Sequence, residues 1–181
     1  VVRHVAFLRG INLGPKRRVS MEKLRATLEE ASYQDVRTLL QSGNVVLTTT
    51  AEPPTLERDL ANTLRDAFDL EIAVVVRTRD ELADVIACDP FGDEVDDPAR
   101  YQVSFLSAEP DPARVKELER ADVAPERVAV RGREVYAWHP QGVGRSELAK
   151  LVTDRRLGVE VTARNWRTVT KLLELADATD G

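Results

Sequence analysis

Val36-Arg37-Thr38-Leu39-Leu40-Gln41-Ser42-Gly43-Asn44-Val45-Val46-Leu47-Thr48 decides the fold of this chain. Two runs of β-forming residues, Val36 to Leu40 and Val45 to Thr48, flank Gln41-Ser42-Gly43-Asn44. Gly and Asn tolerate the positive φ that a tight hairpin turn requires, so the stretch predicts two adjacent antiparallel strands. On its N-terminal side, Ser20 predicts the cap of a helix with Met21, Leu24, Leu28 and Ala31 on one face. Before that helix, Val1 to Leu8 alternates loosely and predicts a strand. On the C-terminal side, Pro53-Pro54-Thr55 opens a helix with Leu56, Leu60, Leu64 and Phe68 inward. The run Ile72 to Val76 is almost wholly apolar, the pattern of a central strand covered on both faces. The order is β-α-β-β-α-β, the split β-α-β or ferredoxin-like unit.

The rest of the chain repeats that order. Thr78 and Glu81 form a capping box for a connecting helix through Leu82, Val85 and Ile86. Residues 88–100, with Pro90, Gly92, Pro98 and five acidic side chains, predict a linker. Tyr101 to Leu106 predicts a strand, and Asp111-Pro112 opens a helix with Val115 and Leu118. Val128 to Val130 and Glu134 to Trp138 flank a tight turn at Arg131-Gly132. Ser146 is expected to cap a helix through Leu148 and Leu151 that stops before Gly158. A final helix is expected from about Ala163 to Ala176, capped by Thr162, with Trp166, Val169 and Leu173 on its core face. The expected class is α+β, with two similar ferredoxin-like subdomains packed side by side. Residues 1–77 form the first lobe, 78–100 the connection and 101–181 the second lobe with the C-terminal helix. A cleft between lobes is where a small ligand usually binds.

Composition narrows the function classes. An apolar share of 43% supports a core, and no run approaches the roughly 20 apolar residues that span a bilayer. Val1-Val2-Arg3-His4 does not read as a signal peptide, and the single Cys88 forms no internal disulfide. A reducing cytoplasm is the expected compartment, with no membrane partner. The net charge of −5 argues against a general nucleic-acid binder. Arginine outnumbers lysine, which reads as a GC-rich coding sequence.

Against that acidic background, Arg9-Gly10-Ile11-Asn12-Leu13-Gly14-Pro15-Lys16-Arg17-Arg18 gathers four cationic side chains around a sharp turn. Such a loop can offer N–H groups and positive charge to an anion. Three segments, Leu8-Arg9-Gly10-Ile11-Asn12-Leu13-Gly14, Gln41-Ser42-Gly43-Asn44-Val45-Val46 and Thr162-Ala163-Arg164-Asn165-Trp166, together resemble the bacterial domain-of-unknown-function family 1697. Gly144-Arg145-Ser146 and Asp89-Pro90-Phe91 resemble it more loosely. The resemblance implies two similar ferredoxin-like α+β subdomains and no substrate, since no biochemical role is assigned to the family. Pro15 stands where the family pattern leads one to expect a more permissive residue, and it would stiffen the loop.

The candidate ligand residues are Arg9, Gly10, Asn12, Gly14, Lys16, Ser42, Gly43, Asn44, Arg145, Ser146, Arg164 and Asn165. The Arg9 fork suits a carboxylate or phosphate, or it bridges the loop's own carbonyls. Asn12 and Asn44 can hold a ligand or brace their turns. Gly10, Gly14 and Gly43 serve backbone geometry. Gly142 to Ser146 reads either as a glycine loop feeding a helix N-terminus or as an ordinary Ser146 cap. Arg164 and Asn165 are expected to point toward the interlobe cleft. No catalytic constellation stands out, and His4, His139 and Cys88 are too few for a His/Cys metal site. The sequence does not identify a cofactor, and an enzyme here would need either no metal or only Mg²⁺.

The leading expectation is a binding protein for a small anionic ligand, a nucleotide or phosphorylated metabolite. One rival is an enzyme acting on such a metabolite. The other is a nucleic-acid or protein adaptor using the Lys16 to Arg18 patch. Nucleic acid is disfavoured, because only Tyr101, Phe105, Tyr136 and Trp138 could stack bases and they read more simply as core.

Overall fold

The computed structural model describes residues 1–178 and divides into two compact units. The first comprises Val1–Asp84 together with the chain from Lys171 onward; the second is Val85–Thr170. The second unit is therefore inserted between two pieces of the first. The C-terminal helix, expected wholly in the second lobe, is shared between them, and residues 85–100, expected as part of the 78–100 connection, belong to the second unit.

In the first unit, β1 (Val2–Leu8), α1 (Met21–Glu30), β2 (Gln34–Leu39), β3 (Asn44–Thr49), α2 (Pro53–Phe68) and β4 (Val74–Thr78) follow the expected order. The strands form one antiparallel sheet ordered β2-β3-β1-β4. Ala6, Leu8, Val45, Leu47, Val74 and Val76 on one face of the sheet pack with Leu24, Leu28, Leu56, Leu60 and Leu64. The helices begin where the chain supplies starts. Ser20 Oγ accepts the Lys23 N–H at 3.3 Å, and prolines open α2, where their missing N–H costs nothing. The apolar run 72–76 does not give a central strand. β4 lies at the sheet edge, yet Val74, Val75, Val76 and Arg77 are all buried. Burial on both faces, rather than a central position, explains its composition.

Thr78 and Glu81 do form the capping box of α3 (Arg79–Cys88), with bonds of 2.8 Å from Thr78 N to Glu81 Oε2 and 3.1 Å from Glu81 N to Thr78 Oγ1. The second unit holds β5 (Tyr101–Leu106), α4 (Pro112–Glu119), β6 (Arg127–Arg131), β7 (Glu134–Trp138), α5 (Asp154–Leu157) and β8 (Val161–Asn165). Its antiparallel sheet is ordered β6-β7-β5-β8, the same topology as the first. The helix expected after Ser146 is absent. Two 3-10 turns, Val143–Arg145 and Leu148–Lys150, and the single turn of α5 take its place. The final helix α6 spans Trp166–Asp177 and starts later than expected, because Val161–Asn165 pairs with β5 as an edge strand. Asn165, not Thr162, supplies a cap: its Oδ1 accepts the Thr168 N–H at 2.9 Å.

The protein is thus α+β, built from two similar four-stranded lobes of ferredoxin-like topology. In the first unit, the end of α6 is held by two arginines of the sheet and one at the start of α3. Arg3 Nη1 donates to the carbonyls of Ala176 and Ala178 at 2.9 Å each. Arg37 Nη1 donates to Ala178 O at 3.0 Å, and Arg79 Nε donates to Asp177 Oδ1 at 2.6 Å. Cations at a helix C-terminus satisfy its open carbonyls and oppose the dipole.

Candidate functional site

The loop that follows β1 is held rigidly to the β2–β3 turn. Asn12 has φ +55, and its side chain makes three bonds: Nδ2 donates to Val19 O at 2.9 Å and to Gln41 O at 2.7 Å, while Oδ1 accepts the Val19 N–H at 2.8 Å. The Asn12 N–H donates to Arg17 O at 2.7 Å and closes the loop. Arg17 ties the loop to itself and to the segment before β4, its guanidinium donating to Gly10 O and to Glu71 O, both at 2.7 Å. Asn44 is fully buried, and its Nδ2 donates to Leu39 O at 2.8 Å and to Ser42 Oγ at 3.1 Å. Gly43 has φ +89, and a Cβ there would stand 2.8 Å from both Ile11 Cδ1 and Leu8 Cβ. Only glycine lets the hairpin turn close against the buried Ile11.

These contacts join the loop that carries Arg9, Gly10, Asn12, Gly14 and Lys16 to the turn that carries Ser42, Gly43 and Asn44, within the first unit. Arg9 is half-buried, with its N–H donating to Ala73 O at 3.0 Å. Lys16 and Arg18 are exposed. The N–H groups of Gly10, Ile11, Leu13 and Gly14 reach no backbone acceptor among the described residues. The braced loop therefore holds cations and open N–H donors with little freedom to rearrange, an arrangement suited to an anion.

Arg145, Ser146, Arg164 and Asn165 lie in the second unit. Arg145 is exposed at the end of a 3-10 turn. Without an α-helix after Ser146, no helix dipole acts at the Gly142–Ser146 loop. The Ser146 hydroxyl is buried, accepts the Ala149 N–H at 2.9 Å and shares a 2.7 Å hydrogen bond with His139 Nδ1. His139 is 1% exposed, and its Nε2 has no partner among the described residues. Burial pushes the His139 pKa below its ordinary value, opposed by the charge of Glu126. Arg164 is half-buried on β8, and desolvation lowers its pKa to about 10.

The aromatic side chains are not a stacking platform. Phe7, Tyr101, Phe105, Tyr136 and Trp138 are buried. Tyr101 stacks on the half-buried Trp166 at 4.9 Å between centroids and donates its hydroxyl to Asp89 at 2.7 Å. The Tyr136 hydroxyl donates to Val85 O at 2.7 Å. No group of His, Cys, Asp and Glu among the described residues is arranged to hold a metal ion. No helix among them is long and apolar enough to cross a membrane.

Two features had no clear sequence signal. Arg17 looks like its neighbours Lys16 and Arg18 in the sequence, and only the fold turns it inward. The His139–Ser146 contact joins two residues that flank a turn, and composition does not reveal it. A third feature, the exposure of Leu13 and Leu40, had a faint signal: each is a large apolar residue among turn formers.

No curated protein matches this chain. Among solved structures, the conserved bacterial protein SP0830 from Streptococcus pneumoniae superposes with a TM-score of 0.79 over 97% of this chain and 99% of its own, at 19% identity. At that identity the likeness establishes the shared fold. The sequence profile described as a protein of unknown function (DUF1697) matches residues 1–136, a span that includes the Arg9–Gly14 loop and the Gln41–Asn44 turn. The chain belongs to the DUF1697 family.

Proposed function

We propose that this protein binds a small anionic ligand, a nucleotide or a phosphorylated metabolite, at the Arg9–Gly14 loop. The observation that carries this reading is the braced cationic loop. In a chain of net charge −5, four cations fall within ten residues, and Asn12 and Arg17 lock the turn that presents Arg9, Lys16 and the open N–H groups. Such an isolated positive patch steers anions selectively. Ser42, Gly43 and Asn44 shape the wall of the site, and the Asn44 bonds to Leu39 and Ser42 fix that wall in place. Arg145, Ser146, Arg164 and Asn165 belong to the second unit and are kept as a separate candidate set, outside the loop site.

The test is thermal unfolding against nucleotides, sugar phosphates and inorganic phosphate, using the wild-type chain, Lys16→Ala and Arg9→Ala. A ligand at about 100 times its dissociation constant adds roughly 2.7 kcal/mol of stability. One ligand class is expected to shift the wild-type transition and to lose that shift in Lys16→Ala, whose exposed side chain leaves the fold intact. A panel with no shift, or a shift that survives both substitutions, overturns the reading.

A further inference from the structure

The anion site does not account for the outer rim of the same loop pair. Leu13 is 82% exposed and Leu40 is 58% exposed. They adjoin Asn12 and Gln41, the residues joined by the 2.7 Å bond from Asn12 Nδ2 to Gln41 O. The two leucines are thus carried on stitched loops, and neither contributes to the first unit's core cluster.

Leu40 bears a second cost. Its φ is +60, a backbone conformation that glycine and asparagine adopt readily and a leucine does not. Among the described non-glycine residues with positive φ, Asn12, Ser32, Asp35 and Asp69 are small and polar; Leu40 alone is large and apolar. A strained, exposed leucine brings the isolated fold no gain, which points to a contact outside it.

We infer that the rim formed by Leu13 and Leu40, flanked by Lys16 and Arg18, docks a protein segment in which apolar side chains stand next to carboxylates. Charge selects that partner. Residues 1–21 and 36–51, which supply both loops, contain no Asp or Glu, while Lys16 and Arg18 are exposed. Apolar anchors inside a charged rim are the ordinary anatomy of a protein interface. The alternatives fit less well. Aliphatic tips offer no ring for a nucleic-acid base to stack on. Two leucine side chains bury less hydrocarbon than a single myristoyl chain, which itself holds a protein to a bilayer only marginally.

The test places the photo-crosslinker p-benzoylphenylalanine at position 13 or 40 of the full chain, in the cells that make it. Both positions are expected to yield the same protein adduct, with the cross-linked peptide rich in Asp or Glu. Lys16→Glu combined with Arg18→Glu is expected to abolish it while circular dichroism stays unchanged. Adducts to lipid or nucleic acid, adducts that survive charge reversal, or no adduct at all would each overturn the proposal. Leu40→Asn supplies a second arm. Asparagine relieves the positive φ, so the melting temperature is expected to hold or rise while the adduct at position 13 is lost. A fall in melting temperature would mark Leu40 as a structural residue instead. Leu13→Ser with Leu40→Ser is expected to retain any phosphate or nucleotide shift, so the rim and the anion site fail separately.

Discussion

The two lobes share a strand order but fill the position after their central hairpin differently. In the first, that position is α2, sixteen residues long, with Leu56, Leu60 and Leu64 buried against the sheet. In the second, it is two 3-10 turns and the four-residue α5. What replaces the missing helix is a set of side-chain anchors. Glu126 Oε2 accepts the Leu148 N–H at 2.8 Å, Ser146 Oγ accepts that of Ala149 at 2.9 Å, and Asp154 Oδ1 accepts that of Val161 at 2.9 Å. An amphipathic helix satisfies its own backbone and needs only an apolar stripe. An irregular segment must find an acceptor for each buried N–H elsewhere. The strand pairing therefore sets the topology, and the second crossover can be built from either kind of interaction.

Three measurements would break or sharpen this contrast. The largest effect is expected for Leu60→Ala in α2, which removes a fully buried side chain from the first core and should cost about 2–5 kcal/mol in denaturant unfolding. A loss below about 1 kcal/mol would show that α2 does not hold its lobe by hydrophobic contact. Next comes Ser146→Ala, which deletes few apolar contacts but leaves the buried His139 Nδ1 and the half-buried Ala149 N–H without their Ser146 partner. It should cost about 1–3 kcal/mol. Hydrogen exchange should place the loosening between residues 139 and 152. A neutral Ser146→Ala would mean that the irregular crossover does not depend on its polar anchors.

The smallest effect is expected from pH. Burial disfavours the charged His139 ring, so its folded pKa lies below the ordinary 6.5. The unfolded chain takes up a proton first. Stability from this residue is then complete above about pH 6.5 and falls as the pH drops through that value, levelling off once the folded ring also protonates. His4 in the first lobe is shifted the same way by burial, but its bond to Val2 O and the charges of Glu52 and Glu81 oppose the shift. Melting temperatures between pH 7.5 and 5 should therefore fall less steeply in His139→Gln than in the wild-type chain. An unchanged slope would show that the acid-sensitive element is not His139.

Legibility in the sequence followed how local each determinant is. Ser20, Pro53, Gly43 and the Thr78–Glu81 pair act on neighbours within a few residues, and each marked its element correctly. β8 was hidden because Val161-Thr162-Ala163-Arg164-Asn165 has little apolar alternation and becomes a strand only by pairing with β5. Its Thr162 then looked like a helix cap. Ser146 misled in the same way, because a serine that caps and a serine that bonds a distant histidine look identical in one dimension. At the loop, the glycines and Asn12 were readable as turn formers. The inward turn of Arg17 was not, because its acceptors Gly10 O and Glu71 O are assembled by the fold.

The insertion of the second lobe into the first carries a consequence for synthesis on the ribosome. All four strands of the first sheet have been made once Thr78 is added, but the carbonyls of Ala176 and Ala178 that Arg3 holds come roughly 100 residues later. At about 5–20 residues per second, the nascent first lobe waits on the order of 5–20 s for its final helix turn. During that interval the whole second lobe is translated. The arginine clasp thus closes only after the whole second lobe has been translated, so the first lobe is finished by residues that the second lobe precedes.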